Sequence, residues 1–180
     1  MRWMIFILLS TLLWAQSDIA SMIKAYRQKQ YAKVCHQGYR SFQKIKKSED
    51  LLNMYAFSCL KSGYINRLAV PIIILNKTPY SRKNRVYFST ILLQKNILLS
   101  ALADKERYSG ISLPKTDHII SKLFEQLQKG AIKATGTNSY ETTIDGKKYI
   151  LKIEKNRYNY TDLIIYERSG EKLEKKYTFR

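Results

Sequence analysis

Apolar positions recur at helical spacing through about the first 130 residues and then switch to strict alternation. The stretch from Tyr31 to Leu75 organises the first pattern. Tyr31, Val34, Cys35, Gly38, Phe42 and Ile45 share one helical face, and Leu52, Tyr55, Cys59 and Leu60 share another beyond the break at Lys46-Lys47-Ser48. Asp18 can cap an earlier helix carrying Ile19, Met22, Ile23 and Tyr26, up to about Gln30. Ser48-Glu49-Asp50 reads as a cap with two acids in the first turn, and Gly63 as the residue that stops that helix. Ile65 to Asn76 is apolar on nearly all sides, which predicts burial, with Pro71 as a kink or a first-turn residue. Ser81 is expected to cap a long helix from Arg82 to about Arg107. Thr116 or Asp117 is expected to cap a sixth, carrying Ile119, Ile120, Leu123, Phe124 and Leu127 and ended by Gly130.

The second pattern begins at Tyr140. Tyr140, Thr142 and Ile144 alternate, Asp145-Gly146 is a strong hairpin turn, and Tyr149, Leu151 and Ile153 alternate again. Tyr160–Arg168 predicts a third strand, Ser169-Gly170 a tight turn, and Leu173, Tyr177 and Phe179 a fourth strand. The fold class is therefore α+β. Antiparallel helical hairpins or a small bundle of about six helices span 18–130, and a β-meander of three to four strands spans 140–180. The small, polar residues 131–139 read as a linker.

Residues 1–17 read differently. One positive charge at Arg2, an apolar run from Trp3 to Trp14 and the small residues Ala15 and Ser17 follow the order of a secretory signal peptide. Cleavage is expected near Ser17, which implies a periplasmic or secreted protein. Export changes the reading of the two cysteines, for which a single pairing exists. Cys35 and Cys59 lie twelve positions on either side of residue 47. A chain folded back there, rising about 1.5 Å per residue, brings both to the same height. The predicted disulfide closes a 24-residue loop and contributes about 3 kcal/mol in the chain-entropy account.

Charge is the most unusual bulk property, at a formal +18. Residues 18–139 hold 21 Lys and Arg against 7 Asp and Glu, whereas 140–180 hold 10 against 7. The excess sits on the helical part and favours anionic partners. Tyrosines are interleaved with cations at Tyr39-Arg40, Tyr80-Ser81-Arg82-Lys83, Arg85-Val86-Tyr87 and Arg157-Tyr158-Asn159-Tyr160. Such mixtures bind nucleic acid, but export argues against that partner. Arg82, Lys83 and Arg85 form the densest basic run of the loop regions and are the candidate contact to an anionic partner.

Shifting the chain by 34 residues aligns Tyr31-Ala32-Lys33-Val34 with Ile65-Asn66-Arg67-Leu68, and Ala25-Tyr26 with Cys59-Leu60. That period resembles tetratricopeptide repeats, over about residues 19–79. In this resemblance Tyr31 and Ile65 open second helices and Pro79 falls near the closing proline. Val34 and Leu68 stand where the family has small residues. The resemblance implies a protein-interaction scaffold without catalysis.

Catalytic constellations are hard to find in the sequence. His36 and His118 are the two histidines, and a Cys35 held in a disulfide is no nucleophile. His118 reads as a solvated residue in a first helical turn. Glu125 or Asp117 would suit a glycosidase, but no second carboxylate is placed beside either. The chain has no C-x-x-C or H-E-x-x-H spacing and no phosphate-cradling glycine loop, so no metal or cofactor is expected. Asn76-Lys77-Thr78 and Asn159-Tyr160-Thr161 match glycosylation sequons. The expectation is a non-enzymatic exported binding module whose basic helical surface contacts a protein or anionic component of the cell envelope. The alternatives are an envelope hydrolase with an unrecognised site and a peripheral membrane-surface protein.

Overall fold

A computed structural model describes residues 18–180, so the expected signal peptide lies outside the described residues. Among the described residues seven α-helices precede five strands, and the fold is α+β. It divides into two compact units, with the boundary between Arg85 and Val86 inside one long helix.

In the first unit, residues 18–27 form α1, followed by α2 (Tyr31–Arg40), α3 (Phe42–Ile45) and α4 (Glu49–Lys61). The helix expected from Tyr31 to Ile45 is interrupted at Ser41. Ser48 caps α4 as read from the sequence, its hydroxyl accepting the Leu51 N–H. Gly63 stops it at φ 82°. The Gly63 N–H reaches the Leu60 carbonyl and the Tyr64 N–H reaches that of Cys59, the paired bonds of a Schellman ending.

The expected fourth helix is instead a 3-10 turn, Ile65–Leu68, running into a short α5, Ala69–Ile74. Pro71 sits in the first turn of α5, where its missing N–H costs nothing. The expectation of all-round burial is corrected here. Ile65, Leu68 and Leu75 are fully buried, but Val70 is 48% and Ile73 76% exposed. A six-residue helix presents one face to its unit, and the opposite face stays apolar and open.

The sixth helix, α6, spans Pro79–Ala103. It starts three residues before the expected point because Thr78 rather than Ser81 is the cap, its hydroxyl accepting the Ser81 N–H. Pro79 then occupies the first helical position, which suits its fixed φ. Ser81 is buried and accepts from Asn53 Nδ2 at 3.0 Å, while Asn84 Nδ2 donates to Asn53 Oδ1 at 2.9 Å. This polar triad ties the start of α6 to α4.

In the second unit α6 ends at Ala103, short of Arg107, and Lys105 takes a positive φ of 62°. The final helix, α7, spans Ile119–Gln128 and is capped by His118, neither by Thr116 nor by Asp117. The sheet is an antiparallel meander in the order β1-β2-β3-β4-β5. Its strands are β1 (Lys133–Gly136), β2 (Ser139–Ile144), β3 (Lys147–Lys155), β4 (Thr161–Ser169) and β5 (Lys172–Phe179). Asp145 and Gly146 both have positive φ, 51° and 77°, as the tight β2–β3 hairpin requires. Four strands fall where alternation predicted them. The additional strand, β1, lies inside the stretch expected to be a linker. Its four residues are all exposed, so only its backbone ladder to β2 holds it and no apolar pattern announces it.

One face of the sheet forms a core. Tyr140 and Ile144 of β2, Leu151 and Ile153 of β3, Leu163 and Ile165 of β4 and Phe179 of β5 are buried on it. The end of that face carries charge. Glu167 accepts from Lys147 Nζ at 2.8 Å and from the Tyr177 hydroxyl at 2.8 Å, and Lys147 also reaches Glu174.

Candidate interaction surface

The disulfide is the anchor of the first unit. Cys35 in α2 and Cys59 in α4 are bonded, with Cα atoms 4.8 Å apart and both residues fully buried. Such a bond belongs to an oxidising compartment. The close approach of the helices depends on Gly38. A Cβ there would overlap Cδ2 of Tyr55 and lie 3.0 Å from its Cγ. Tyr55 is buried, which pushes its hydroxyl up to about 12 against the opposing pull of the Arg67 charge.

The Schellman ending at Gly63 turns the chain so that Tyr64 and the 3-10 segment return beside α2. There Arg67 Cζ lies 4.5 Å from the centre of the Tyr39 ring and 4.6 Å from that of Tyr64. Its Nη1 donates to the Cys35 carbonyl at 3.4 Å and sits 3.5 Å from the Cys35 sulfur. The Tyr64 hydroxyl meets His36 Nε2 at 3.0 Å, with the two rings edge-on. Tyr39 is 61% exposed and Arg67 half-buried.

The basic run Arg82, Lys83 and Arg85 lies on the first turns of α6, not in a loop. The three side chains serve different ends. Arg82 Nη1 donates to the Asn76 and Lys77 carbonyls, each at 3.0 Å, and closes the turn before α6. Lys83 is exposed and Arg85 is half-buried. Glu49 finishes the same turn. Its carboxylate accepts the backbone N–H groups of Asn76 (2.7 Å), Lys77 (2.7 Å) and Thr78 (3.1 Å). Partial desolvation pushes this carboxyl up, but the hydrogen bonds from Lys77, Asn76, Ser81 and Thr78 outweigh it and hold it at about 2.

Residues 18–85 carry 14 Lys and Arg against 3 Asp and Glu. Twelve of those cations are exposed. Of the three acids, Asp18 pairs with Lys44 and Glu49 is spent on backbone N–H groups. The positive field of this unit is therefore little offset from within.

No family model, curated protein or solved structure matches the chain.

Each histidine packs against an aromatic ring of its own unit. His36 sits against Tyr64 in the first unit. His118, read from the sequence as solvated, is half-buried against Phe179, and its Nδ1 accepts the Ile120 N–H at 3.2 Å. Burial, helped by Lys175 and opposed by Asp117, lowers its pKa to about 4. Among the described residues no group of three or more His, Cys, Asp or Glu could hold a metal ion. Asp117 accepts from Tyr87, and Glu125 is held by Lys115 and Lys129.

The Tyr39–Arg67–Tyr64 cluster escaped the sequence reading. Tyr39 stands out only as a neighbour of Arg40, and the separation of 28 positions between His36 and Tyr64 hides their contact. The available signal was the pair Cys59 and Gly63, which together imply that whatever follows Gly63 returns to Cys35.

Proposed function

We propose that this chain is an exported, non-enzymatic binding module whose basic helical unit contacts an anionic or protein partner of the cell envelope, in the periplasm or outside the cell. The observation that carries this reading is the charge of the first unit, 14 basic against 3 acidic residues, displayed on a disulfide-stapled scaffold with open aromatic and aliphatic side chains. Long-range attraction brings an acidic partner in, and burial of Tyr39, Tyr80 and the outer face of α5 completes the contact. The resemblance to tetratricopeptide hairpins supports the same scaffold role. The disulfide and the signal-like residues 1–17 support export with cleavage near Ser17.

A photo-crosslinking residue at exposed Lys83 or Tyr80 tests this reading in isolated envelopes. The expected result is a discrete adduct at low salt that fades as salt rises. No adduct from either position, or one indifferent to salt, contradicts it.

The open face of α5 favours a second reading, peripheral membrane contact. Val70 and Ile73 are exposed on a unit rich in lysine, the combination that favours anionic lipid surfaces. Co-sedimentation with phosphatidylglycerol vesicles, lost in Ile73→Asp, is the expected outcome of that reading.

A further inference from the structure

Arg67 differs from the other cations of the first unit. The unit's exposed lysines are point charges on flexible stems, with Lys44 paired to Asp18 and Lys61 over the Tyr31 ring. Arg67 is held over two tyrosine rings and hydrogen-bonded through Nη1 to the carbonyl of a disulfide-bonded residue. Its guanidinium forms no ion pair with any described residue, and Nε and Nη2 have no partner there. Arg67 is half-buried, so part of the residue stays open to solvent.

We infer that Arg67, fixed over Tyr39 and Tyr64, is a preformed receptor for a carboxylate side chain of an acidic protein segment. The inference rests on the proposed role of the first unit as a basic contact surface and names the group that makes the specific contact. A guanidinium presents its donors as a planar fork that matches a carboxylate in two parallel hydrogen bonds. Here the rotamer freedom normally lost on binding is already spent by stacking and by the Cys35 carbonyl, so the fork is preorganised. The surroundings favour a protein rather than a lipid source of the anion. Tyr, Arg and Tyr in one cluster are the residue types that dominate protein–protein hot spots, where the rings exclude water from the ion pair. A guanidinium also binds phosphate through two parallel bonds, so the flanking tyrosines, and not the fork itself, are what favour a protein anion here.

The test is fluorescence anisotropy of a labelled hexaglutamate peptide with the oxidised full chain, run beside vesicles of phosphatidylglycerol. Arg67→Lys keeps the charge and removes the fork, and is expected to weaken peptide binding about tenfold. Tyr39→Ala removes one exposed stacking partner and is expected to weaken it about threefold. Lys33→Ala, an exposed cation of the same unit, is expected to change it less than about twofold. Thermal melts of all three establish that the fold persists, and Tyr39→Ala carries the test if Arg67→Lys does not fold. Equal losses in Arg67→Lys and Lys33→Ala, or no loss in Arg67→Lys and Tyr39→Ala, would overturn the inference while leaving the basic surface intact. Binding to vesicles but not to the peptide would overturn it in favour of a lipid anion. Failure to bind either probe at low salt would remove both the inference and the function on which it rests.

Discussion

Gly38 of α2 faces the ring of Tyr55 in α4 so closely that a Cβ on it would stand 3.0 Å from Cγ and overlap Cδ2. The glycine is there for space rather than for an unusual φ. It lets two helices approach closely enough for the Cys35–Cys59 bond, with its Cα atoms 4.8 Å apart.

Gly38→Ala should therefore lower stability by about 1–3 kcal/mol, the ordinary cost of overpacking a dense core. Urea denaturation of the oxidised protein measures it. A variant as stable as the wild type would show that the Tyr55 ring can move aside at no cost.

The disulfide stabilises the first unit chiefly by restricting the unfolded chain. Cys35→Ala/Cys59→Ala, or reduction, should remove about 3 kcal/mol for a loop of this length. Because both sulfurs are buried, reduction of the native protein should be slow until the unit opens. Rapid reduction without unfolding would contradict that placement.

Glu49 gives the protein an acid-sensitive turn. Its pKa in the folded chain is about 2, below the ordinary 4.5, so the unfolded chain takes up the proton first as pH falls. The stabilisation is complete above about pH 4.5 and is lost toward pH 2. Glu49→Gln should lower stability at neutral pH and flatten the profile across that interval, read by thermal melts at a series of pH values.

His118 acts at higher pH with the same sign. Burial lowers its pKa from 6.5 to about 4, and protonation would also remove the Nδ1 acceptor of the Ile120 N–H. Stability that is full above pH 6.5 should decline by about 3 kcal/mol as pH falls to 4. His118→Asn keeps a cap and titrates nowhere in this range, so its profile should be level from pH 6.5 down to about 5, above the interval in which Glu49 titrates. A sloping profile in that variant would assign the titration to another group.

The sequence was most legible where a local rule and the tertiary structure agreed. Ser48, Gly63 and the Asp145-Gly146 turn fix element ends through their own backbone chemistry, and all three do so here. The disulfide was legible because equal spacing about a turn is a geometric statement. The start of α6 was misread because Thr78, Pro79 and Ser81 all suit a helix start, and only the burial of Ser81 against Asn53 decides among them. Strand β1 left no trace because exposed backbone pairing needs no apolar side chain. Arg67 was invisible for a related reason. Its environment is made by residues 28 and 3 positions away, Tyr39 and Tyr64, which meet only after the hairpin closes.

The most direct measurement of the central claim is the salt dependence of binding between the oxidised protein and isolated envelopes, compared with a variant in which exposed Lys33, Lys46, Lys47 and Lys83 are changed to Gln. The account predicts that wild-type binding falls steeply as ionic strength rises from about 0.05 M to about 0.5 M, and that the variant binds weakly with a shallow dependence. Equal binding by both proteins at every salt concentration would contradict it.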